Sequence, residues 1–128
     1  MKADKLGIWM DHSDAHLIAF SIDKKDIHTI SRDDFDGKME AKEHGEKRAN
    51  SKKRNLQEAF YKKVWSIAKD YREVVIFGST DAKAEFFNQI RANHANDSVK
   101  ISLRNADKMS HDNMRHFVYK YFKPIMLP

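Results

Sequence analysis

Lys42, His44, Lys47, Arg48, Lys52, Lys53 and Arg54 form a dense cationic tract. Lysine and arginine at this density attract phosphate, and such attraction gives affinity without base readout. Glu40, Glu43 and Glu46 interleave with the first half of the tract and dilute its field. The Lys52-Lys53-Arg54 end is therefore the stronger half, and the alternative for the tract as a whole is a solvated, partly disordered loop. A second constellation is acidic. Asp11 closes an apolar run, and Glu58, Asp81 and Asp112 are the carboxylates that could join it around two metal ions, as a ribonuclease H-type nuclease requires. Helical geometry opposes this. Asp112 falls about 170° from the centre of its helix's apolar stripe, and Glu58 roughly 125° from the centre of its own. Asp11 then reads as a turn residue bonding nearby backbone amides.

Three further groups carry less. Gly78-Ser79-Thr80 between a strand and a helix is a candidate anion cradle. It lacks the second glycine and lysine of a P-loop, so helix capping by Ser79 or Thr80 is the favoured role. His12 and His16 flank a turn, and His111 and His116 stand five apart on a helix, so neither pair has the spacing of a helical chelate. No metal or other cofactor is expected. Phe117, Tyr119, Tyr121 and Phe122 with Lys120 and Lys123 could stack on bases, or form core on one side and a snorkelling rim on the other.

The elements that hold these residues follow from hydrophobic patterning. Leu6 to Met10, Ala15 to Ile22 and Ile27 to Ser31 read as three antiparallel strands joined by short polar turns. Gly37 to Ser51 has no apolar periodicity and reads as a long exposed loop, placed at about 36–51. Ser51 is the expected cap of a helix over Lys52 to Tyr71, with Leu56, Phe60, Val64, Ile67 and Tyr71 on one face. Tyr61, Trp65 and Ala68 widen that face. This opens a third reading, a homodimer or protein-interaction module using Trp65.

Val74 to Phe77 is apolar on both faces, as a buried parallel strand requires. Ala82, Phe86 and Ile90 mark a helix after it. A turn at His94 to Asp97 leads to a strand over Val99 to Leu103. Ser110 then caps a last helix, with Met109 and Met114 as its hydrophobic staple and Pro124 as its stop. A meander followed by strand–helix–strand units makes this an α/β domain over residues 1–128. Its mixed five-stranded sheet has the order 3-2-1-4-5, with two helices on one face and the last on the other. That topology is shared by ribonuclease H-like and translational machinery component-like folds.

Several pieces together resemble the middle domain of the eukaryotic and archaeal peptide-chain release factor and of its rescue relative Pelota. These are Met10-Asp11 with Ala15, the stretch Gly78-Ser79-Thr80-Asp81-Ala82-Lys83-Ala84-Glu85-Phe86-Phe87, and Val99-Lys100-Ile101 leading to Ala106-Asp107-Lys108-Met109-Ser110. The resemblance spans nearly the whole chain. It implies contact with the ribosome or its RNA. The family's catalytic Gly-Gly-Gln lies between the third strand and the first helix. Here that place reads Lys42-Glu43-His44-Gly45-Glu46-Lys47-Arg48, so the peptidyl-ester hydrolase activity is not carried over.

Bulk properties agree with a polyanion partner. The formal charge is +5 and the pI about 9.4, a balance that favours acidic partners. Absence of cysteine excludes disulfides and cysteine–zinc sites and fits a reducing compartment. The apolar patch near the N-terminus is broken by Asp11 and suits neither a signal peptide nor a membrane span, so the cytoplasm is the expected location and no membrane partner is expected.

Overall fold

The computed structural model describes residues 4–20, 27–35, 46–93 and 98–123. Five strands form one sheet: β1 (Lys5–Met10), β2 (Asp14–Ala19), β3 (Ile27–Ser31), β4 (Glu73–Gly78) and β5 (Lys100–Asn105). Their order is β3-β2-β1-β4-β5, as the patterning predicts. β1 pairs antiparallel with β2, placing Ile8 opposite Leu17, and parallel with β4, placing Ile8 opposite Ile76. β5 runs parallel to β4 and forms the outer edge of the sheet.

Three helices cover the sheet: α1 (Glu46–Ala68), α2 (Ala82–Asn93) and α3 (His111–Phe122). The period-2 alternation of each central strand decides which helix its residues meet. Leu6, Ile8, Met10, Val74 and Ile76 pack with Phe60, Val64 and Trp65 of α1 and Phe86 of α2. Trp9, Val75 and Phe77 point the other way, onto Met114, Val118 and Phe122 of α3. Two helices thus share one face and the third takes the other, the consequence of right-handed crossovers.

Two glycines are fixed by close approach. A Cβ at Gly7 would stand 2.2 Å from Val118 Cγ2, so α3 can seat on β1 only where a side chain is missing. A Cβ at Gly78 would stand 2.3 Å from the backbone oxygen of Met10, where the ends of β1 and β4 converge.

Three expectations are corrected. First, the tract read as loop up to Ser51 is helical from Glu46, so Lys47, Arg48 and Ser51 lie inside α1 and Ser51 is not its cap. Glu, Lys, Arg and Ala at its start are strong helix formers, and they outweigh Asn50 and Ser51. Second, α1 ends at Ala68, and Lys69 to Tyr71 form the turn that delivers β4, closed by Tyr71 N–H donating to the Ala68 carbonyl at 3.0 Å. Third, Trp65 is 3% exposed and belongs to the core, so it presents no face to a partner. The wide apolar arc of α1 serves contact with both the sheet and α2. Residues 36–45, Ile22, the turn His94 to Asp97 and Pro124 lie outside the described residues.

Candidate nucleic-acid interface

β1, β4 and β5 are mutually parallel, and β3, antiparallel to β2, shares their direction. All three helices follow strands of that direction. Each therefore begins at the same end of the sheet, where their positive dipole ends gather.

The β1–β2 turn lies at this end and is built by Asp11. One carboxylate oxygen, Oδ1, accepts from the Ser13 and Asp14 backbone N–H groups, both at 2.8 Å. The Asp11 N–H donates to the Asp14 carbonyl at 3.0 Å. This is the local turn role that the sequence indicates. The other acids do not converge on it. Glu58 is exposed on α1, and Asp112 is exposed and paired with Arg115 at 2.6 Å. The Asp81 carbonyl accepts the Ala84 and Glu85 N–H groups at the start of α2. Among the described residues, no three His, Cys, Asp or Glu side chains gather as a metal site. Thr80 Oγ1 accepts from the Ala82 N–H at 3.2 Å, so this turn engages the helix start directly.

A polar network ties α1 to this end. Gln57 Nε2 donates to the His12 carbonyl at 3.1 Å, and Arg32 Nη1 donates to Gln57 Oε1 at 3.1 Å. One turn further, the Tyr61 hydroxyl donates to Glu85 Oε1 at 2.9 Å, and the other Glu85 oxygen meets His12 Nε2 at 3.2 Å. Burial, and then the Glu85 contact, push the Tyr61 phenol well above its usual range. No local spacing announces this network, because its partners stand 24 to 73 residues apart.

The bond from Gln57 to the β1–β2 turn fixes the level of α1 against the sheet. The residues of α1 before Gln57 extend roughly 16 Å past that level. Between Glu46 and Asn55 they carry five cations, Lys47, Arg48, Lys52, Lys53 and Arg54, and one carboxylate. Lys53 and Arg54 are exposed and form no ion pair with another described residue. Lys47, Arg48 and Lys52 share the same helix, while Lys42 and His44 lie outside the described residues.

A second surface lies along α3. Met109, Asn113, His116, Phe117, Lys120 and Tyr121 line an open groove of about 510 Å³. Phe117 stacks on Phe77 with centroids 4.1 Å apart, and Tyr121 lies within 7° of the Phe117 plane. Arg104 of β5 sits 5.2 Å from the Tyr121 ring centre. The aromatic group of α3 therefore divides: Phe122 is core, Phe117 and Tyr121 are half-buried, and Tyr119 is exposed.

The histidines pair across elements. His16 lies 4.9 Å from His111 and 5.6 Å from Trp9, and its Nδ1 meets Thr29 Oγ1 at 2.9 Å. Burial, and then His111, lower the His16 pKa below its ordinary value, with Lys108 adding to this and Asp14 and Asp11 opposing it. Among the described residues, no helix is long and apolar enough to cross a membrane. No protein-family model matches the chain, and no curated protein is detectably similar to it in sequence.

Proposed function

We propose that this chain is a non-catalytic RNA-binding protein that docks on the ribosome or its RNA through the overhanging start of α1. The observation that carries this reading is the extension of α1 past the sheet, with five cations on it and exposed Lys53 and Arg54 unpaired among the described residues. Near its start α1 exposes Lys53, Arg54 and Asn55, which offers surface to a partner. Here that surface is cationic and begins at a positive dipole end, a combination suited to phosphate.

The resemblance to the release factor and Pelota middle domain supports a translational setting, and with it the cytoplasm. Without Gly-Gly-Gln, the role is contact rather than peptidyl-ester hydrolysis. The nuclease reading draws less support, because Asp11 is engaged in its own turn and the other acids stand apart.

The test is Lys52→Ala/Lys53→Ala/Arg54→Ala. Each phosphate contact to single-stranded RNA contributes about 0.7 to the slope of log affinity against log salt, so the triple variant should flatten that slope by about 2. Co-sedimentation with ribosomal particles should weaken in parallel at low salt. An unchanged slope with unchanged affinity refutes the assignment.

A further inference from the structure

We propose that the groove along α3 takes a nucleobase of single-stranded RNA against Phe117 and Tyr121, with the flanking phosphates on Lys120 and Arg104. This deepens the RNA-binding reading and rests on it for the class of ligand. The groove joins two properties. Its wall is aromatic: Phe117 is held from behind by Phe77, and Tyr121 lies nearly parallel to it, one helical turn on. Its rim is cationic: Lys120 is exposed and lines the groove, and Arg104 is exposed beside Tyr121.

Arg104 is placed by a bond of its Nη1 to the Leu103 carbonyl at 2.8 Å and a longer one, 3.4 Å, from Nη2 to the Tyr121 hydroxyl. It makes no ion pair with a described carboxylate, so its charge is available to an anion. The carboxylate on α3, Asp112, is engaged by Arg115. A flat apolar wall with unneutralised cations at its edge complements a ligand that is planar, aromatic and anionic. A nucleotide meets all three requirements. The volume, about 510 Å³, lies in the roughly 300–1,000 Å³ range of small-ligand sites. Base–aromatic stacking tolerates any sequence, which suits a protein whose other contacts read only phosphate.

The experiment is fluorescence anisotropy with a labelled short oligouridylate and with the same oligomer made abasic. Wild type is compared with Tyr121→Leu, Lys120→Glu and Lys53→Ala/Arg54→Ala, each checked by thermal melting. The proposal expects Tyr121→Leu to weaken the uridylate about tenfold. Removing the bases should weaken it similarly, and the two losses should not add. Lys120 is on the surface and is assigned to phosphate, so Lys120→Glu should weaken both oligomers, without the packing cost of Tyr121→Leu. Lys53→Ala/Arg54→Ala should weaken both oligomers equally. If bases and Tyr121 make no difference while the α1 variant still loses affinity, the groove proposal is overturned and the RNA-binding reading survives. If Tyr121 and bases matter but the α1 variant binds normally, the groove stands and the α1 assignment falls. Tyr121-dependent self-association by light scattering, or Tyr121-dependent capture of an acidic peptide, with no effect of the bases, would give the groove to another occupant and overturn the proposal.

Discussion

Substitution Gly7→Ala tests how α3, and with it the groove, is seated on the sheet. The added Cβ would stand 2.2 Å from Val118 Cγ2 and 3.1 Å from Cγ1. Val118 is 1% exposed and is packed among Trp9, Val75 and Phe77, so it has little room to rotate away. Overpacking of this kind costs about 1–3 kcal/mol. Val118→Ala alone removes two buried methyl groups. Their transfer loss plus the residual cavity costs about 2 kcal/mol. In the double variant both offending atoms are gone, and the nearest remaining contact is Val118 Cβ at 3.2 Å, which a shift of a few tenths of an ångström relieves. The new methyl also fills part of the cavity. The double variant should therefore be more stable than the sum of the single changes predicts, by about 1–2 kcal/mol. Urea denaturation measures this directly, provided the m-values agree. Additive single and double values would refute the contact as the reason for glycine at this position.

Tyr61→Phe removes the hydrogen bond to Glu85 while keeping the ring in the core. A bond to a charged acceptor is worth about 1.5–3 kcal/mol, and because Glu85 is exposed the expected loss is nearer 1 kcal/mol by urea denaturation at neutral pH. The raised Tyr61 pKa also sets a sign. The unfolded phenol ionises near 10.0 while the folded one stays protonated, so this contribution is fully present below that pH and lost as pH rises above it. Tyr61→Phe should make the alkaline loss shallower, and an unchanged alkaline profile would count against the assignment. His16 acts in the opposite direction on the pH scale. Its folded pKa is lowered, so the unfolded chain takes up a proton first as pH falls through about 6.5, and stability declines from there until folded His16 is protonated too. His16→Gln should flatten urea midpoints across this interval, and a profile as steep as wild type would assign the decline to another group.

Much of the fold is legible because its determinants are local. The apolar run of β1 and the two-faced apolar run of β4 suit strands in the middle of the sheet, and crossover handedness puts α1 and α2 on one face and α3 on the other. Ser110 caps α3 as its position before the apolar stripe predicts, with its Oγ accepting from the Asn113 N–H at 3.2 Å. The start of α1 was not legible. Its first turns bury no described apolar side chain, so hydrophobic periodicity has nothing to register there. The polar network at the sheet end was equally hidden. Glu85 reads as an acid suited to a helix start, Tyr61 as a broadening of an apolar face and His12 as a surface residue, and only the fold brings them together. The same holds for His16 and His111, which the sequence sets in two separate pairs, His12 with His16 and His111 with His116.

The carboxyl ends of the parallel strands are where open α/β sheets ordinarily place ligands. In this chain that location is occupied by structural bonds. Asp11 holds its own turn, Thr80 and Asp81 start α2, and Glu85 is shared by Tyr61 and His12. Gln57 closes the β1–β2 turn from the α1 side. An acid already accepting two local bonds, as Asp11 does, is poorly placed to hold a metal or move a proton. Exposed cations without an ion-pair partner among the described residues, Lys53 and Arg54 of α1 and Lys120 of α3 among them, lie instead on the helix surfaces. On the proposed RNA-binding reading, the sheet is the support and the helix surfaces are the means of contact.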